Sequence, residues 1–156
     1  MTIAPTLATY LEQAGIQPEV LTHPHSPSAS RTAEASHVSG NQVAKAVLLK
    51  DETGYLLAVL PASRHLRLDA VEALTGRSLT LAAEDEIGRA FPDCEVGAVP
   101  PVGVAYGLPA VIDDSLVEES EIYLEGGDHT TLVRVTRAEF AQLMQGAQAG
   151  SFSWHQ

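Results

Sequence analysis

The chain has 156 residues, twenty Asp/Glu against nine Lys/Arg, and one cysteine, Cys94. That length fits a single domain over 1–156 with enough chain for a core, and 45% apolar with 19% charged residues excludes a disordered protein. A net charge of −11 excludes a protein that grips long stretches of DNA or other nucleic-acid backbone, and a lone cysteine excludes an internal disulfide and fits the cytoplasm.

The charge is uneven. Residues 1–80 hold seven acidic and six basic side chains, and residues 81–156 hold thirteen and three. A local contact with nucleic acid therefore falls in the first half, where Arg31, Lys45, Arg64, His65, Arg67 and Arg77 lie. The stretch up to Gly15 lacks Lys and Arg and carries Glu12, so it does not read as a signal peptide, and no apolar run is long enough for a membrane span.

Leu7, Tyr10, Leu11 and Ala14 recur at helical spacing before Gly15, which predicts an amphipathic helix over 6–14. A short strand is predicted at 19–22. Residues 23–30, with two prolines and three serines, read as a loop, and the small residues of 32–39 as a helix ending at Gly40. The run 41–50 and Tyr55-Leu56-Leu57-Ala58-Val59-Leu60, joined by a turn ending in Gly54, form the clearest hairpin. Asp69 and Glu72 read as a capping box for a helix closed by Gly76. A strand at 78–81 and a helix at 84–90, stopped by Phe91-Pro92, come next.

Glycine and proline occupy four of the nine positions 95–103, which excludes a helix there, and Pro100-Pro101 excludes a central strand. Strands are predicted at 110–113, 121–124 and 130–135, with a turn at 126–129. Thr136 and Glu139 form a second capping box, opening a helix with Phe140, Leu143 and Met144 on one face. Residues 145–156 read as a tail. Hairpins with interspersed short helices predict an α+β fold, a mixed, mostly antiparallel sheet covered by short helices.

Lys45 and Lys50 are the only lysines. Lys50 ends its run beside a turn, where a charge is easily solvated. Lys45 sits inside it, on one face with Val43, Val47 and Leu49 if side chains alternate. An ammonium in such a row either snorkels out, as a lysine that blunts an edge strand does, or serves a site. Gly97-Ala98-Val99-Pro100 opens a loop whose fixed backbone can aim amide N–H groups into a cavity; a rigid connection reads the same way. Gly126-Gly127-Asp128-His129 offers either a ligand contact from Asp128 and His129 or a plain hairpin turn with a solvated histidine.

His23, His25 and His37 have no acidic or cysteine partner at a recognisable spacing, so no metal site is expected. Cys94 and the loop serines have no nucleophile signature around them, and no Walker or dinucleotide motif is present, so no cofactor is expected.

Taken together, Val43-Ala44-Lys45-Ala46-Val47, Gly97-Ala98-Val99-Pro100-Pro101-Val102-Gly103 and Gly127-Asp128-His129 resemble the YbaK-type aminoacyl-tRNA editing domain. That family includes free-standing deacylases and the editing insertion of bacterial prolyl-tRNA synthetases. The resemblance runs from about Thr22 to Met144. It implies trans-editing hydrolysis of the ester of a mischarged aminoacyl-tRNA, with tRNA(Pro) carrying a small wrong amino acid as the expected substrate. By the same resemblance Lys45 holds the 3′ end, and Gly97, Ala98, Val99 and Pro100 line the aminoacyl pocket. Asp128 and His129 lie at its mouth, and water assisted by the substrate's ribose hydroxyl replaces a protein nucleophile. The implied partners are the tRNA acceptor end and an aminoacyl-tRNA synthetase. Two positions depart from the family pattern: Ala46, where a polar residue is common, and Val102, where an aromatic is common. Both bear on which amino acid the pocket takes. The alternative is a non-catalytic module that binds a tRNA 3′ end or an aminoacyl nucleotide.

Overall fold

The computed structural model describes residues 3–25 and 29–155. Two long apolar runs separated by a turn dictate its centre, a hairpin of β2 (Val43–Asp51) and β3 (Gly54–Pro61) paired antiparallel from Ala44↔Pro61 to Asp51↔Gly54. The Asp51 carboxylate caps the turn, accepting from the N–H of Thr53 and Gly54. Around this hairpin a mixed sheet forms in the order β1-β8-β7-β2-β3-β6-β9. Its other strands are β1 (Glu19–Thr22), β6 (Ala110–Asp113), β7 (Glu121–Glu125), β8 (Thr131–Thr136) and β9 (Gln148–Gly150), and β5 (Thr80–Leu81) pairs with the far end of β2.

Alternation along these strands gives the sheet two buried faces. On one, Ala44 and Leu48 of β2 join Leu57, Val59, Ile122 and Leu124 under helix α1 (Pro5–Gln13) and helix α6 (Arg137–Leu143). On the other, Leu49, Ala58 and Leu60 pack with Val71 of helix α3 (Leu68–Thr75) and with Phe152. That second face also holds a separate cluster, Val43, Ala62, Tyr123 and Leu132 with Ala33 of helix α2 (Ala29–Ala35). Each large apolar side chain so buried contributes about 1.5–3 kcal/mol. Helices α4 (Glu84–Ala90) and α5 (Asp114–Val117) complete the set, with a 3₁₀ turn at Gly103–Tyr106.

The α+β architecture matches the sequence reading, and so do the central hairpin, the Thr136/Glu139 capping box and the buried Phe140, Leu143 and Met144. Four expectations need correction. Residues 145–156 are not a tail: β9 adds to the sheet beside β6, β10 (Ser153–Trp154) pairs with β4 (His65–Leu66), and Phe152 is fully buried. Helix α2 ends at Ala35, ahead of the predicted span, because His37 adopts a left-handed φ of 58°. Asp69 caps nothing: α3 starts at Leu68, and the Glu72 carboxylate accepts instead from the N–H of Leu79 at 2.9 Å. Of the predicted loop at 23–30, residues 26–28 lie outside the described residues and residues 29–30 open helix α2 instead.

Candidate functional site

β2 has β3 on one side and β7 and β5 on the other, so it is not an edge strand of the sheet, although neither outer ladder includes Lys45. The ladder to β7 covers Val43↔Tyr123 and Ala44↔Leu124, and that to β5 begins only at Leu49↔Leu81. Lys45 follows directly on the end of the β7 ladder. It shares a sheet face with Val43 and Val47, in the gap between the cluster under α2 and the cluster under α3. Half-buried there, Lys45 has no hydrogen-bond or ion-pair partner among the described residues, and burial lowers its pKa from the ordinary lysine value. Lys50 is different, giving its ammonium to Glu86 at 2.8 Å.

Carried one residue further, the β7 register brings Glu125 level with Lys45 on the same face. Glu125 is 2% exposed. Neither carboxylate oxygen gains a well-directed hydrogen bond among the described residues. Burial pushes its pKa up to about 7, with the Asp128 charge adding to the rise and the nearby Thr32 hydroxyl opposing it. Sequence reading passed over this residue. Its one local signal is an acid closing an apolar strand just ahead of Gly126-Gly127.

β7 runs straight into that turn, and the turn holds the Gly/Pro loop. The N–H of Glu95 donates to the Gly127 carbonyl at 2.7 Å, and a ring nitrogen of His129 lies 3.0 Å from the Val96 carbonyl. His129 is therefore a buried brace, 8% exposed, and not a solvated turn residue. Asp128 folds the turn itself, its Oδ1 accepting from the N–H of Thr130 at 3.0 Å. Burial raises its pKa, but the Thr130 and Thr131 donors outweigh that and leave it lowered.

In the loop, Gly97 is exposed with a left-handed φ of 92°, while Ala98, Val99 and Pro100 are buried. The N–H of Ala98 closes a turn on Glu95, whereas those of Gly97 and Val99 have no acceptor among the described residues. Such fixed, unspent donors suit an oxyanion or a carbonyl. The structure thus joins two of the three predicted groups, the loop and the turn. Val99 sits in the cluster of the opposite sheet face, and Lys45 connects to the pair only through β7.

The histidines separate. His23 is buried, with Nδ1 2.7 Å from the Pro24 carbonyl. His25 meets His129, ring centroids 4.9 Å apart, and Glu95 joins them. The acidic partner that the spacing around His25 does not reveal comes from a distant loop. Cys94 lines a cleft of about 410 Å³ together with Glu95, Gly127 and Asp128. Burial pushes its thiol up to about 12, beside the Tyr106 hydroxyl at 3.2 Å, which removes it as a nucleophile.

This fold and these loops define a class. Residues 23–143 match the aminoacyl-tRNA editing domain family, and the chain belongs to it. Over 87 residues it is 30% identical to the proline–tRNA ligase of Pseudothermotoga lettingae, covering 55% of this chain and 15% of that enzyme's length. The crystal structure of a candidate trans-editing enzyme for prolyl-tRNA synthetase superposes with a TM-score of 0.85 at 28% identity, covering 97% of this chain and 96% of that one. A structure from work on grafting epitopes onto scaffold proteins gives 0.84 at 26% identity, covering 98% and 97%. Among the described residues no helix is long and apolar enough to cross a membrane.

Proposed function

We propose that the chain is a cytoplasmic aminoacyl-tRNA deacylase acting in trans, which hydrolyses the ester of tRNA(Pro) carrying a small wrong amino acid. The observation that carries this reading is Lys45, a half-buried ammonium on an interior strand of an editing-family fold, with no protein anion spent on it. A point charge so placed suits a phosphate or the ester carbonyl of the 3′-terminal nucleotide. The acyl group would then lie across the end of β7 toward Gly97, Ala98, Val99 and Pro100, where the unspent amides of Gly97 and Val99 meet the developing oxyanion. His129 holds that loop through Val96, and Asp128 holds the turn that carries His129.

An aminoacyl ester is already activated. Positioning a water with help from the substrate's ribose hydroxyl supplies the rest. Small pockets discriminate by excluding what is too large, the sieve logic of editing.

The tRNA body meets an acidic protein, so contact is confined to the acceptor end. The exposed Trp154, its ring tilted against His65 at 4.9 Å, suits an unpaired nucleotide. A synthetase would supply further affinity. Binding by the isolated chain is expected to be weak with a shallow salt dependence, since each phosphate contact adds only about 0.7–0.9 to the slope.

The test is a deacylation panel of Ala-, Ser-, Thr- and Cys-tRNA(Pro) with correctly charged controls, run on the wild type and Lys45→Ala. Hydrolysis of a mischarged species, lost by at least about 100-fold in Lys45→Ala with stability changed by under about 0.5 kcal/mol, is the expected result. An unchanged rate in the variant would remove the reading. Ligand-induced stabilisation without turnover would point to a binding module.

A further inference from the structure

One ring nitrogen of His25, one of His129 and a carboxylate oxygen of Glu95 lie within 4.8 Å of one another. They come from three segments: the stretch after β1, the loop after α4 and the β7–β8 turn. We propose that these residues form a transition-metal site of the Zn²⁺ class, and that a bound ion brakes hydrolysis by clamping the mouth of the pocket. Binding of the ion does not depend on the proposed activity; only the brake rests on it.

The donor set is the first argument. Two imidazoles and a carboxylate with a fourth position open are a common Zn²⁺ environment, and they do not suit Mg²⁺ or Ca²⁺, which take oxygen donors. Geometry is the second. Tetrahedral coordination brings donors to about 3.3 Å from one another, given metal–nitrogen distances of about 2.0–2.1 Å. His25 and Glu95 are both exposed, so their side chains can rotate to close that difference while the buried His129 stays fixed.

The third argument is the contact behind His129. A ring N–H given to the Val96 carbonyl at 3.0 Å sets the tautomer and leaves the other nitrogen with its lone pair. This is the support a metal-bound histidine usually has. The net charge of −11 also favours cation capture over anion capture.

The consequence follows from connectivity. Glu95 is bonded to Gly127 and precedes Gly97 by two residues, so an ion held by Glu95, His129 and His25 ties the Gly/Pro loop to the segment that leads into α2. A loop tied in this way admits the acyl group less readily.

The experiment is a calorimetric titration of Zn²⁺ into the full EDTA-treated chain, repeated with Co²⁺ and its visible absorption. The wild type, His25→Ala, Glu95→Gln and, as a control, His155→Ala are compared, with circular dichroism to verify folding. One ion per wild-type chain is expected, at least about tenfold weaker binding in both His25→Ala and Glu95→Gln, and no change in His155→Ala. Absence of saturable binding overturns the site, as does full affinity in either ligand variant or equal loss in the control.

In the deacylation assay the EDTA-treated chain should work at full rate. Zn²⁺ should slow it over the concentration range that fills the site, and should leave Glu95→Gln unaffected. Activity restored by Zn²⁺ after EDTA would overturn the brake. A chain that binds the ion as expected yet hydrolyses no aminoacyl-tRNA sinks the deacylase reading and leaves the metal site standing.

Discussion

Replacing Glu125 by glutamine isolates the cost of a buried carboxylate. Glu125 titrates near 7 in the folded chain against an ordinary value of 4.5, chiefly because burial disfavours its charge. A folded-state value above the unfolded one means that the native chain binds the proton more tightly. Its contribution to stability is therefore complete below about pH 4.5 and is lost as pH rises towards 7. At about 1.4 kcal/mol per pKa unit, the loss across the window is on the order of 3 kcal/mol, most of it between pH 5 and pH 8.

Glutamine keeps the shape, can use the Thr32 hydroxyl and does not titrate. Urea unfolding of both proteins at pH 5 and pH 8 should show the wild type losing on the order of 1–2 M more in midpoint than Glu125→Gln. The other carboxylates are common to both chains and cancel in the comparison. Parallel behaviour of the two proteins, within about 0.5 kcal/mol, would mean that the carboxylate is solvated and that the buried environment inferred for it is wrong.

Two further substitutions probe the frame around the site. Phe152→Ala should cost about 3–5 kcal/mol in chemical denaturation, since the ring is fully buried among Leu49, Leu60 and Val71; a loss below about 1 kcal/mol would restore the reading of the C-terminal segment as a tail. Gly127→Ala should cost about 1–3 kcal/mol and loosen the turn that carries His129, because φ is 112° and a Cβ there would meet the Ala4 Cβ at 2.7 Å; a thermal midpoint equal to wild type would refute this.

What the sequence disclosed was local or periodic. The Thr136/Glu139 box is an i, i+3 signal and forms as read, and the alternation that aligned Val43, Lys45 and Val47 survives in the sheet. The Asp69/Glu72 pair carried the same signal and failed, because the Leu79 N–H, brought near by the chain's return after Gly76, competes for the Glu72 carboxylate. Phe152 was missed because Phe152-Ser153-Trp154 is too short an alternation to stand out among Gly, Ser and Gln, and only packing against α3 and the sheet gives the ring a place.

The site was half legible for the same reason. Lys45, the Gly/Pro loop and the Asp128-His129 turn stand out by composition. Glu125 falls level with Lys45 only by extending a parallel register between strands far apart in the chain, and Glu95 meets His25 only because two loops converge. No spacing rule within one segment carries that information.

The pairing of the other cations sharpens what Lys45 signifies. Acids outnumber bases twenty to nine, and several other cations pair with a carboxylate, while Arg64 and Arg137 donate instead to Ser153 and to backbone carbonyls. Lys50 pairs with Glu86, Arg77 grips Asp51 through two nitrogens, Arg89 pairs with Asp85, and Arg134 pairs with both Glu19 and Glu121. Arg77 and Asp51 are largely shielded from water, whereas the Arg89 and Arg134 pairs are exposed, where each contributes little. Lys45 is more buried than such positions require, yet the carboxylate level with it, Glu125, is itself raised towards neutrality and forms no ion pair with it. A half-buried ammonium and a fully buried carboxyl that form no ion pair cost stability on both sides. A structural ion pair would relieve that cost. A binding site would keep it until a substrate anion arrives, and the unspent amides of Gly97 and Val99 repeat the same economy in the loop across the end of β7.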